Sequence, residues 1–335
     1  MNTGGNTALK VIPVVGVLAL LMLWLMSVAL KRNLKPNEAQ RPSVARPQSP
    51  FDAQRAWNDL ETIVGFGPRP AGSEAAEQTR EYLRRHLRAA GLRVREQSFE
   101  AETPLGTREM VNLVGIVEGT RRGAIVLGNH YDTKHFEDFA FVGANDGGST
   151  TAWMLEMARV LGARRDGRSI WLAWFDGEES FGKWSETDGL YGSRAFVAHL
   201  TETDELAHVA AMINVDMIGD CYLGVHRDRQ APAWLASIVW DTAERLGYDK
   251  HFLRQARTIE DDHLPFRRAG VPTLELIDFS YGGSLVEHGK LWHTAEDTLD
   301  HVCRESLQVV GDVLYYALPA VDVALDRQGS PRHGQ

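Results

Sequence analysis

Hydrophobic residues fall into three patterns along this chain. A single long apolar run stands near the start, short apolar runs of strand length recur from residue 123 onward, and apolar positions between them return at helical spacing. Residues 11–30, VIPVVGVLALLMLWLMSVAL, carry no charge and have about the length that spans a bilayer as a helix. They are expected to be a membrane anchor behind a short tail at 1–10. A cleaved signal peptide is the rival reading, but the run is long for one and no A-x-A-like site stands before KRNLK. Residues 31–50, with Pro36, Pro42, Pro47 and Pro50, read as a linker to a globular body over 51–326, and 327–335 read as a flexible tail.

Within the body, Ser73 caps a predicted helix over 73–90, where Ala, Tyr and Leu recur at helical spacing. The runs at 123–130, 169–176, 208–216 and 271–278 predict buried strands, and 149–163, 231–247 and 303–325 predict helices. Such alternation favours an α/β three-layer sandwich with a mainly parallel central sheet between helices. It places ligands beyond the carboxyl ends of the strands.

Composition narrows the function. A formal charge of −9 across 335 residues shows no clustered Lys and Arg for phosphate, so no nucleic-acid partner is expected, and peptides or small molecules fit better. Two cysteines, Cys221 and Cys303, are too few for a disulfide scaffold and leave the redox compartment undecided. Lys31, Arg32, Lys35, Arg41 and Arg46 follow the apolar run, which by the positive-inside tendency keeps the body cytoplasmic. A short tail before a single span is instead the layout of an anchor that exports its domain.

The chemistry-bearing residues gather where strands end. His130 and Asp132 close one run, Asp176 to Glu179 another, and Asp216 a third, while Asp146 lies in a Gly-rich turn before a helix and His293 follows Trp292 in a late polar loop. Taken singly, these are a common His-x-Asp pair, a solvated acidic strand end, a helix cap and two ordinary tryptophans. Their recurrence at strand ends points to a site. Carboxylates with imidazole and no cysteine suit zinc in an open catalytic centre. Adjacent side chains on a strand face opposite ways, so Glu178 and Glu179 are expected to diverge, one coordinating a metal and the other acting as general base.

The segments GPRPAGS, HYDTK, FVGANDGG, FDGEESFGKWSETDGLYGSR, VDMIGD, IEDDHLPFRRAGVPTLELI and WHTAEDT resemble, in that order, the M28-type zinc aminopeptidase superfamily. W-S-x-x-D-x-L-Y-G-S and I-E-D-D-H-x-P-F resemble its glutaminyl-peptide cyclotransferase (glutaminyl cyclase) branch, over roughly residues 53–320. The resemblance implies one zinc ion held by Asp146, Glu179 and His293, with Glu178 as general base. Asp216 and Asp261 would be an acidic pair passing the proton, and Trp184 and Trp292 would wall the pocket for an N-terminal glutamine of a peptide or protein. It also implies a cis peptide after Asp146 and an extracytoplasmic, secretory setting for the body. Its peptidase branch implies instead a second zinc on His130 and Asp216, sharing Asp146, in a two-zinc aminopeptidase. A metal-free binding domain on a membrane anchor is the third reading. GAND sits nearer the peptidase branch, Glu275 stands where the cyclases carry His, and no cysteine pair matches the animal cyclases' disulfide.

Overall fold

A computed structural model describes Met1 and residues 49–164, 166–283 and 289–329. The expected anchor at 11–30 lies outside the described residues, as do most of the linker and of the tail. The first helix, α1 (Ala53–Gly65), starts at Asp52, whose carboxylate accepts the N–H groups of Gln54 and Arg55. Helix α2 (Glu74–Ala89) starts as expected, with the Ser73 hydroxyl accepting the Ala76 N–H at 3.1 Å.

The chain then makes an antiparallel hairpin, β1 (Arg93–Thr103) and β2 (Gly106–Val117), followed by β3 (Arg121–His130), α3 (Thr150–Leu161) and β4 (Arg168–Phe175). After them come α4 (Tyr191–Glu202), β5 (Val209–Asp216), β6 (Val225–Asp228), α5 (Ala233–Arg245), β7 (Phe252–Arg257), α6 (His263–Arg268), β8 (Thr273–Ile277) and α7 (Arg304–Gly329). Six strands form one sheet in the order β1-β2-β4-β3-β5-β8, in which β4, β3, β5 and β8 run parallel and β2 runs against β4. Strands β6 and β7 pair in parallel as a separate ribbon. The expected mixed, mainly parallel sheet between helices is what the chain forms.

Period-two alternation explains why the strands read as unbroken apolar runs. Ile125 and Leu127, Ile170 and Leu172, and Ala211 and Ile213 pack on the face covered by α2, α3, α5 and α7. Val126, Trp171, Ala173, Phe175 and Met212 pack on the other face, against Phe196 and Leu200 of α4 and Phe266 of α6. Along the middle of these strands both faces are dry, so apolar residues stand at both alternate positions there.

The hairpin strand β1 escapes the hydrophobic pattern because it is an edge strand whose residues are exposed or half-buried throughout. Helix α7 runs past the expected end at 325, to Gly329, so the predicted tail begins as helix. Among the described residues, Arg304–Gln328 alone is long and apolar enough to cross a membrane. Its Leu307, Val310, Leu314 and Leu318 are fully buried in the body, which marks it as a core helix. Cys221 and Cys303 are bonded to each other, across 82 residues of sequence.

Phe196 is fully buried, with ring centroids 5.7 Å from Phe175 and 6.2 Å from Phe266. Phe196→Ala is expected to cost about 3–5 kcal/mol of unfolding free energy in a urea titration. A loss under about 1 kcal/mol would mean that this face is not close-packed.

Candidate active site

Strands β4, β3 and β5 are parallel neighbours, so their carboxyl ends open on one edge of the sheet, with His130 in register with Phe175. Beyond β4 the chain turns through Gly177 at φ 70° and presents Glu178 and Glu179. This turn is pinned by Asp132: one carboxylate oxygen accepts the Glu178 N–H at 3.1 Å and the other accepts the Glu179 N–H at 3.3 Å. The two glutamates do diverge, but strand alternation is not the cause, because β4 has ended at Phe175 and a braced turn separates them. Glu179 Oε1 meets His293 Nε2 at 3.0 Å, while Glu178 stands outside the group formed by Asp146, Glu179 and His293 and lines a cavity with Asp261.

Asp146 sits in a kinked turn, Ala144–Ser149, ahead of α3. Asp297, a residue that sequence reading left out, shapes this turn by accepting the N–H groups of Asn145 and Asp146 and the Tyr281 hydroxyl. Gly147 follows at φ 73°, and a Cβ there would lie 2.7 Å from the Asp132 carbonyl, so glycine is required. The bond between Asp146 and Gly147 is trans, contrary to the expected cis peptide; a glycine with positive φ turns the chain without it.

Arg69, from the GPRPAGS segment, is fully buried and donates to the carbonyls of Tyr131, Val142 and Gly143, tying the loops after β3 together. Its signal in sequence was only its place in that segment.

His293 itself holds a left-handed φ of 57°, uncommon outside glycine. Its ring stacks on Trp292 (centroids 4.0 Å apart) and meets the edges of Phe136 and Phe141 at 6.0 and 5.8 Å. Phe136 carried no sequence signal, and Phe141 only its place at the head of FVGANDGG. One ligand atom from each of Asp146, Glu179 and His293 lies within 4.8 Å of the others, and the same holds for His130, Asp146 and Asp216. His130 Nε2 stands 3.2 Å from Asp146 and 3.3 Å from Asp216.

These groups fit a divalent cation. His130 Nε2 and Asp146 Oδ2 are buried without a hydrogen-bond partner, and the set offers imidazole nitrogen with carboxylate oxygen, the donors zinc takes. Electrostatics agree. Burial lowers the His293 pKa, but Glu179 and Asp146 outweigh it and raise it to about 10; burial likewise lowers the His130 pKa, but Asp132, Asp146 and Asp216 outweigh it and raise it well above the usual imidazole range. Carboxylates that favour a proton on these imidazoles would equally favour a metal cation in its place.

Glu178 lies outside both ligand groups. Burial, then Asp261, pushes its pKa well above the usual carboxylate range. Asp261 is raised in turn by burial, Glu275 and Asp216, and Asp216 is raised chiefly by burial. Glu275, the departure noted in sequence, meets His263 at 2.6 Å with both side chains buried, so it answers a histidine already present in the I-E-D-D-H segment.

Glu178, Asp216 and Asp261 line a cavity of about 810 Å³, together with Trp184, Trp292 and Phe279. Trp184 donates its Nε1–H to Glu260 at 3.1 Å, and Trp292 packs on Phe279 at 4.9 Å. The expected site residues are therefore brought to one place.

Comparison with known proteins agrees with this geometry. Residues 112–318 match Peptidase family M28. The crystal structure of an Acidobacteriales bacterium glutaminyl cyclase is 36% identical, with a TM-score of 0.77 over 87% of this chain and 100% of that one. The glutaminyl-peptide cyclotransferase of Boiga irregularis is 27% identical, over 85% of each chain. A Zn-dependent exopeptidase from Parabacteroides distasonis is 26% identical, with a TM-score of 0.72 over 81% of this chain and 98% of that one. The buried ligand set at the sheet edge, the separate Glu178 and the tryptophan-walled cavity thus sit on a chain that belongs to peptidase family M28 and, within it, to the glutaminyl cyclase branch.

Proposed function

We propose that this protein converts the N-terminal glutamine of peptides or proteins to pyroglutamate, releasing ammonia, with one zinc ion held by Asp146, Glu179 and His293. When bound, the zinc supplies Lewis-acid polarisation of the substrate's γ-carbonyl. Every other task falls to the chain. Trp184 and Trp292 enclose the glutamine side chain, so that the α-amine and the γ-carbon, already in one molecule, meet in a productive orientation. Glu178 takes a proton from the attacking α-amine and returns it to the departing amide nitrogen, so that the new C–N bond forms as the old one leaves as ammonia.

A raised pKa brings the Glu178 carboxyl nearer to the amine and leaving nitrogen between which it carries the proton, which favours transfer in both directions. Asp261 and Asp216, crowded behind it, share the proton and keep the cluster from carrying full negative charge. The observation that carries this reading is that Glu178 lines the cavity with Asp261, outside both ligand groups, while its neighbour Glu179 meets His293.

One observation favours a second reading. The His130, Asp146 and Asp216 group would complete a two-zinc aminopeptidase, in which Glu178 activates water and the first residue is released. Tightly held zinc per chain, one equivalent or two, together with the product formed, separates these readings. Failure to bind any zinc would return the chain to the binding-domain reading.

The body is proposed to lie outside the cytoplasm, behind the anchor at 11–30. The Cys221–Cys303 disulfide supports this, because such bonds persist in oxidising compartments.

Glu178→Gln is expected to keep its zinc, measured by metal analysis, while pyroglutamate turnover falls roughly 10²–10⁴-fold. Loss of zinc in that variant would mean that the two glutamates have been assigned the wrong way round. Asp132→Ala frees both amides of the 178–179 turn, and zinc affinity is expected to fall about 10–100-fold in a chelator competition. Unchanged affinity would show that the turn holds its shape without that carboxylate.

A further inference from the structure

A cavity of about 810 Å³ is the size that takes a drug-sized ligand, more than one glutamine side chain fills. Its walls differ in charge. Asp146, Glu178, Glu179 and Asp216 belong to the metal and proton machinery, whereas the wall built from β6 and β7 carries Arg229 and Arg257.

An exposed arginine usually signals only a solvated surface, but Arg229 is set apart by how it is held. Its backbone N–H donates to the Arg257 carbonyl at 2.8 Å, and its Nη2 donates to the Ala256 carbonyl at 2.9 Å. Either side of it is braced. Buried Asp228 accepts the Gln230 N–H at 2.8 Å and Arg267 Nη2 at 2.5 Å, and Arg267 Nη1 reaches the Gln230 side chain at 2.6 Å. No described carboxylate pairs with Arg229, although six acids line the same cavity. The result is a guanidinium fixed on the wall of the site with its charge unanswered.

We infer that Arg229, with Arg257 beside it, forms a subsite for a carboxylate of the substrate, so that peptides with Asp or Glu in the second or third position are preferred; this rests on the cyclase reading above. A guanidinium fork binds a carboxylate through two parallel N–H donors, and a head group already oriented loses little freedom in doing so. The acids near the metal ligands attract the substrate's α-ammonium. A peptide with a positive terminus and a negative side chain shortly after it therefore matches both walls at once. The chain's net charge of −9 opposes such a peptide at long range, so the preference is a local effect of the wall, and added salt weakens it.

The test uses the zinc-loaded protein and amidated peptides Gln-Asp-Ala, Gln-Ala-Asp, Gln-Ala-Ala and Gln-Lys-Ala. The kcat/KM ratio of the better acidic peptide to the lysine peptide is expected to be roughly three- to tenfold, chiefly through KM. In Arg229→Ala the ratio collapses toward one, in Arg229→Glu it inverts, and Arg229→Lys keeps part of it. Taking the ratio within each variant cancels any loss of folded protein. Equal kcat/KM for the acidic and lysine peptides, or an unchanged ratio in Arg229→Ala, overturns the subsite and leaves the cyclase reading intact. The same peptides titrated into zinc-loaded Glu178→Gln protein read binding without turnover. An acidic preference in Kd with no pyroglutamate from any peptide keeps the subsite and removes the cyclase reading.

Discussion

Buried negative charge at one edge of the sheet is the constraint from which the rest of the site follows. Asp132, Asp146, Glu178, Glu179, Asp216 and Asp261 are all buried there, where like charges are poorly screened. The fold answers them with different devices. Asp132 and Asp297 are satisfied by backbone amides of the turns they shape. Arg69, buried among loop carbonyls, lends positive charge to Asp297, Asp132 and Asp146, although burial lowers its own pKa to about 10. Of the remaining acids, Asp146, Glu179 and Asp216 face histidines and suit a dication, while burial and their acidic neighbours raise the pKa values of Glu178 and Asp261. A dication and a shared proton would thus be two outlets for one electrostatic load.

Rigidity in this arrangement comes from several sources. His130 and Asp216 terminate packed parallel strands, so their positions are set by the sheet core. His293 is delivered by a loop from far along the chain, in a backbone conformation that costs free energy and is held by aromatic contacts with Trp292, Phe136 and Phe141. Glu178 and Glu179 depend on a turn whose hydrogen bonds come from a neighbouring strand end. The candidate ligands share one centre while resting on independent supports.

Much of this was legible in the chain itself, for physical reasons. Strands β3, β4 and β5 sit between two dry layers, so each appears as a largely apolar run, and the acids and histidines that close them are conspicuous by contrast. Strand β1 lies at an edge with no dry face, and nothing in its pattern distinguishes it from loop. The separation of Glu178 from Glu179 was expected for the wrong reason, since local periodicity cannot reveal a turn imposed by Asp132 across the sheet. Asp297, Arg69, Phe136 and Phe141 act through contacts between distant segments, and only the folded chain exposes them. The expected cis bond after Asp146 came from likeness to relatives, and the chain makes that turn with Gly147 instead.

Cys221 follows the strand that ends in Asp216, and Cys303 immediately precedes the long terminal helix. The bond between them closes a covalent ring that contains Arg229, Asp261, His263, Glu275 and His293. A protease that nicks the polypeptide inside this ring leaves both fragments tethered, whereas a nick upstream, between β3 and β5, severs His130 or Glu179 from the remainder with no such link. Durability in a protease-rich setting is therefore unevenly shared, and the later half of the catalytic constellation is the part the bridge protects.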